Sequence, residues 1–110
     1  MSATREFLAN PAKIAEAAGG AVIRTHMECR DGFTMSVQYS RFHYCNARSF
    51  ERGEAPLPEP VTVEIGFPTA RHPRWLGPYA EDPKDLTGTV YGHVPLGLVD
   101  KVIAKHGGLK

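Results

Sequence analysis

Cysteine is scarce in this chain of 110 residues, with only Cys29 and Cys45 present. Two thiols exclude a secreted scaffold built on several disulfides, so a hydrophobic core must hold the fold. No stretch approaches 18 consecutive apolar residues, which excludes a membrane-spanning helix. The opening residues, Met1 to Glu6, lack the basic segment and apolar run of a secretory signal, so the cytoplasm is the expected location. An excess of one charge is missing too. Thirteen basic against twelve acidic side chains leave a formal net charge of +1. That balance excludes whole-molecule steering toward nucleic acid or an anionic membrane, and equally an acidic mimic of DNA. A local basic patch stays compatible with it. Phosphate-loop, dinucleotide, nucleophile-elbow and zinc-protease patterns are all missing, and the glycine spacing never fits them beside a strand–helix junction.

The residues that are there describe an ordinary globular chain, 42 % hydrophobic and 23 % charged. At this length folding hides about 60–70 % of the open chain's surface, enough for one core and too little for two. Residues 1–110 therefore read as a single α+β domain. Asn10-Pro11 marks a helix start, the alanine-rich residues 12–18 its body, and Gly19-Gly20 its end. Phe7 and Leu8 fit a preceding turn of helix. Residues 21–39 read as a hairpin around Arg30-Asp31-Gly32. A three-residue loop with a left-handed Gly32 sets Phe33 opposite Cys29 and Met35 opposite Met27, bringing the apolar residues of both strands to one face. The other face, with Arg24, His26, Glu28, Thr34, Ser36 and Gln38, is expected to be solvated. A strand unbroken to Cys45 would be too long, so a bend is expected near Ser40.

After a proline-punctuated loop at 46–60, residues 61–67 alternate as a third strand, with Val61, Val63, Ile65 and Phe67 on one side. Residues 69–88 form a long irregular loop, in which Pro73 can open a short helix carrying Trp75 and Leu76. Residues 89–94 give a fourth strand. Pro95 then opens a terminal helix with the stripe Leu98, Val99, Val102 and Ile103, closed by Gly107-Gly108. The expected order is α-β-β-β-β-α: one antiparallel four-stranded sheet with an N-terminal and a C-terminal helix on one face.

Few residue sets could carry chemistry. His26, Cys29, His43 and Cys45 are of zinc-ligand type. Alternation, however, aims His26 outward and Cys29 inward, and a straight strand would carry Cys45 about 35–40 Å from the turn. The same separation opposes a disulfide, so the thiols read as small buried hydrophobes and no metal or cofactor is expected. His43 and Cys45 share a strand face, but parallel side chains do not make a nucleophile–base contact without a bend. Glu81, Asp82 and Asp85 read as turn formers.

Arginine interleaved with aromatic residues is the stronger signal. Arg41, Phe42, Tyr44, Arg48, Phe50 and Arg52 follow the second strand, while Arg71, His72, Arg74, Trp75 and Tyr79 lie in the long loop. Such mixtures favour protein interfaces and can also stack on single-stranded bases. The phrases Met35-Ser-Val-Gln-Tyr-Ser-Arg-Phe-His-Tyr-Cys45, Val63-Glu-Ile-Gly-Phe-Pro68, Tyr79-Ala-Glu-Asp-Pro83, Thr89-Val-Tyr-Gly-His-Val-Pro95 and Val102-Ile-Ala-Lys-His-Gly-Gly108 resemble small proteins of undetermined activity carried by bacteriophages and prophages. The likeness implies a protein that occupies a host component, such as a CRISPR effector, in the host cytoplasm. It carries over no catalytic residue. The expectation is a non-enzymatic interaction protein whose partner is a host protein or protein–nucleic acid complex. A nucleic-acid-binding module on the same arginine–aromatic surface is one alternative, and a metal- or thiol-dependent protein built on His43 and Cys45 is another.

Overall fold

A computed structural model describes residues 2–18, 21–48 and 57–110. The chain opens with α1 (Ala3–Ala9), whose Ser2 cap accepts a hydrogen bond from the Arg5 amide at 3.2 Å. The same helix end is held from outside. Asp100 Oδ1 accepts from Ser2 Oγ, the Thr4 amide and Thr4 Oγ1 at 3.0, 2.9 and 2.7 Å. One carboxylate thus satisfies three donors, one of them a backbone amide that the helix start leaves unpaired.

The helix expected over residues 12–18 does not form. Asn10 caps the Ala12 amide and Pro11 opens a turn, as anticipated, but the turn is a single 3-10 one, Pro11–Lys13. The chain then becomes β1 (Ile14–Ala18), antiparallel to β2 (Ala21–Arg24). Alanine's helix propensity is worth only tenths of a kcal/mol per residue, and a helix this short cannot stand without a broad apolar face to bury. Ile14 alone provides no such face, whereas pairing with Val22 and Ile23 satisfies the backbone. Gly19 and Gly20 lie outside the described residues.

The main sheet runs in the order β3 (Met27–Glu28), β4 (Thr34–Gln38), β5 (Thr62–Gly66) and β6 (Val90–Pro95), antiparallel throughout. Its hairpin register is the one that apolar alternation dictates: Met27 faces Met35, the Cys29 amide bonds the Phe33 carbonyl, and Gly32 has φ +94°. Two sheets therefore replace the expected single sheet with both helices on one face. The inner face of the larger one carries Met27, Met35, Val37, Val63, Ile65, Tyr91 and Val94, all fully buried. α2 (Leu96–Lys105) adds Leu96, Val99, Val102 and Ile103 to this core, and α1 adds Phe7 and Leu8. Leu96 takes the deep position expected of Leu98, which is half-buried. Val61 and Phe67 are exposed, because β5 stops short of both and Phe67 turns left-handed at φ +50°.

The outer face is not open at its Arg24–Gln38 end. The Gln38 side chain accepts from the Arg24 amide at 2.8 Å and donates to its carbonyl at 2.9 Å, doing for β2 and β4 what a backbone pair does within a sheet. Arg24 reaches on to the carbonyls of Tyr39 and Leu8, which ties the small sheet to α1. Burial follows from these contacts. Among the described residues no helix is long and apolar enough to cross a membrane.

Candidate functional site

Two places gather the arginine and aromatic residues, at opposite ends of β4. The first is a run of turns at residues 40–48, beginning at the bend expected near Ser40. Register slips between Val63/Val94 and Ile65/Tyr91, so β6 carries an extra residue opposite Glu64. That bulge puts His93 at φ +53° and frees its amide from the ladder. The freed amide donates to the Tyr44 carbonyl at 2.8 Å, while Glu64 Oε1 accepts from the Tyr44 amide at 3.1 Å. Tyr44 is fastened from both sides. Its Cβ lies close over Gly92, where an added methyl would come within 3.2 Å.

Asn46 completes the attachment, with Oδ1 accepting from the Val61 and Thr62 amides at 3.0 and 3.1 Å. Arg48 lies 4.5 Å over the Tyr44 ring and donates to the Phe42 carbonyl at 3.2 Å. The outcome is a rigid turn with Phe42 57 % and Tyr44 41 % exposed. Arg41 is half-buried beside them. Phe50 and Arg52, the other members of this cluster, lie outside the described residues.

Beneath the turn, His43 Nδ1 meets Ser40 Oγ at 2.6 Å and the Cys45 thiol donates to the Ser40 carbonyl at 3.2 Å. The imidazole is thus directed at a serine and not at the cysteine. Burial lowers the His43 pKa, with the Glu64 charge opposing and the Arg24 charge adding to that shift. Ser40 is fully buried, which withholds it from any substrate. Cys29 and Cys45 are both free and buried, and burial followed by the Asp31 charge raises the Cys29 pKa. Among the described residues no group of three His, Cys, Asp or Glu side chains could hold a metal ion.

The second place joins the hairpin turn, the long loop and the end of α2. Asp31 Oδ2 lies 2.6 Å from His106 Nδ1, and His106 Nε2 lies 2.8 Å from His72 Nε2. Phe33 stacks on His106 at 3.9 Å and meets His72 edge-on at 5.6 Å, while Trp75 lies parallel to His72 at 5.7 Å. Backbone bonds fix the frame: the amides of Asp31 and Arg30 donate to the carbonyls of His106 and Gly108, and Thr69 bonds Thr34. The short helix expected at Pro73 is one turn, closed by the Leu76 amide on the His72 carbonyl and followed by a 3-10 turn, Gly77–Tyr79. Leu76 is fully buried and anchors the loop.

Arg71, His72, Pro73, Arg74 and Trp75, with Lys105 of α2, line an open slot of about 260 Å³. Tyr79 is half-buried within the loop. Hydrogen bonds from the Phe33 amide and from His106 lower the Asp31 pKa. Burial, then the His106 and Lys105 charges, lower that of His72. A wider cleft of about 630 Å³ lies between α1, β3 and the C-terminus, lined by acids and bases alike, including Glu6, Lys13, His26 and Glu28.

No protein-family model, curated protein or solved structure matches this chain. The clusters must be read on their own chemistry. Asp31 and His106 are the functional candidates that sequence reasoning passes over. They stand 75 positions apart, and His72 stands 34 from His106, so no local pattern could pair them. Glu64 reads as isolated in the sequence for the same reason, since its partner is a backbone amide in a distant turn.

Proposed function

We propose that this chain is a non-enzymatic interaction protein that docks on a partner protein through the exposed turn at residues 42–48. The observation that carries this reading is the fastening of Tyr44 through both its amide and its carbonyl while its ring and that of Phe42 face solvent. Aromatic rings already held in place lose little conformational freedom on docking, and arginine beside them adds directional hydrogen bonding. Val61, 59 % exposed and joined to the turn through Asn46, extends the apolar surface. Large apolar side chains grouped in solvent are what a partner covers.

The likeness to phage-borne proteins supports the partner class: a host protein or protein–nucleic acid complex, with inhibition of a defence system such as a CRISPR effector as the outcome. Binding to purified effector complexes, followed by surface plasmon resonance, tests both parts. Tyr44→Ala and Phe42→Ala should each weaken binding at least tenfold, about 1.4 kcal/mol, with the melting temperature unchanged. Undiminished affinity in both variants would sink the surface. An affinity that collapses as salt rises would instead assign the contact to nucleic acid.

A further inference from the structure

The slot beside Trp75 is separate from the turn at residues 42–48, and its chemistry is more specific. Three of its six lining residues, Arg71, Arg74 and Lys105, are cations and none is an acid. The other walls are flat or apolar: the Trp75 indole, the parallel His72 imidazole and Pro73. We propose that this slot binds a nucleotide unit, base against Trp75 and phosphate among Arg71, Arg74 and Lys105, with uptake of a proton by His72.

Each half of the ligand answers a feature of the walls. Indole faces stack on any base. Two guanidinium forks match the oxygens of a phosphate, and three cations suit its double negative charge better than the single charge of a carboxylate. Size fits one unit. An open slot of about 260 Å³ can cover most of one nucleotide without enclosing it, and it is too small for a folded segment of another protein.

The proton follows from the place of His72 in the slot wall, among three cations. A carboxylate can only accept, so Asp31 Oδ2 takes the Nδ1 proton of His106. His106 Nε2 lies 2.8 Å from His72 Nε2, so the two rings share one hydrogen bond. Protonation gives the His72 ring a positive charge at the wall of the slot. The charged and titratable groups around His72 are Lys105 of α2 and His106 just after it, Arg71 and Arg74 from the loop, and Asp31 behind His106 from the hairpin. Burial opposes a positive charge on His72 when the slot is empty, and the His106 and Lys105 charges add to it. A bound dianion reverses that balance. The proton comes from solvent, forms an N–H bond on the imidazole, and leaves every bond between heavy atoms unchanged.

Calorimetry with adenosine 5′-monophosphate tests the proposal, with adenosine, inorganic phosphate and an acidic peptide as comparison ligands. The nucleotide should bind at least tenfold more tightly than any of the three. Arg74→Ala and Trp75→Leu should each weaken it at least tenfold at unchanged melting temperature. Titrations near pH 7 in two buffers of different ionisation heat should report proton uptake in the native chain and less in His72→Asn. The phosphate's own titration near pH 6 is common to both proteins and cancels in that difference. Absence of nucleotide binding by natively folded protein, tighter binding of the peptide, or indifference to both slot variants overturns the site. Equal proton uptake in the native chain and in His72→Asn overturns the proton coupling.

Discussion

His43 and His72 sit where burial disfavours a charged ring, so both are held neutral below the ordinary histidine range. Nuclear magnetic resonance titration should find both midpoints below about 6.5, the unperturbed value. The linkage sign follows from this direction. As pH falls below about 6.5 the unfolded chain takes up these protons first, so stability declines until pH passes the depressed folded values, then levels. Asp31 acts in a lower window. Its depressed pKa contributes stability that is complete above the unfolded value of about 3.9 and is lost as pH falls through the folded value. Urea melts across pH should give Asp31→Asn a flatter acid limb than the native chain. Gly32 makes a backbone argument at the same scale. Its φ of +94° is one that L-residues avoid, so Gly32→Ala should cost about 1–2 kcal/mol in the same melts.

At the scale of elements, the bulge in β6 and the turn above it act as one device. A methyl group at Gly92 would press within 3.2 Å of Tyr44 Cβ, so Gly92→Ala should shift the turn by a few tenths of an ångström. Partner affinity should fall while the core, which lies on the opposite face of β6, keeps its stability; calorimetry and binding measured on one preparation separate the two. Leu76 makes the complementary case. It is the fully buried anchor of a loop with almost no regular structure, and Leu76→Ala should cost about 2–5 kcal/mol in denaturant unfolding. The hairpin could be read from residues 23–39 because a one-residue slip would put Met27 and Met35 on opposite faces of the sheet. The strand from Ile14 to Ala18 could not, because its alanines carry no period and its partner strand decides its conformation. Trp75 and Arg74 were legible as a cluster, yet the aspartate–histidine–histidine chain beside them was not. Its members meet only after the hairpin, the loop and α2 have packed.

At the scale of the whole molecule, the two sheets share no ladder of backbone bonds among the described residues. Gln38 bridges them with two hydrogen bonds of 2.8 and 2.9 Å, both to Arg24. Removing that amide leaves buried Arg24 backbone groups unsatisfied at about 1–3 kcal/mol each, so Gln38→Ala should destabilise the chain by a similar amount. Hydrogen exchange should localise the damage, with amides of β1 and β2 exchanging faster while those of β5 and β6 keep their protection. A hinge of this kind also decides how the molecule comes apart. When the small sheet lets go, a protease gains a foothold between Lys13 and Thr25, but α1 remains moored to Asp100 at the far side of any cut. The nicked chain should therefore elute as one particle and separate into two pieces only in denaturant.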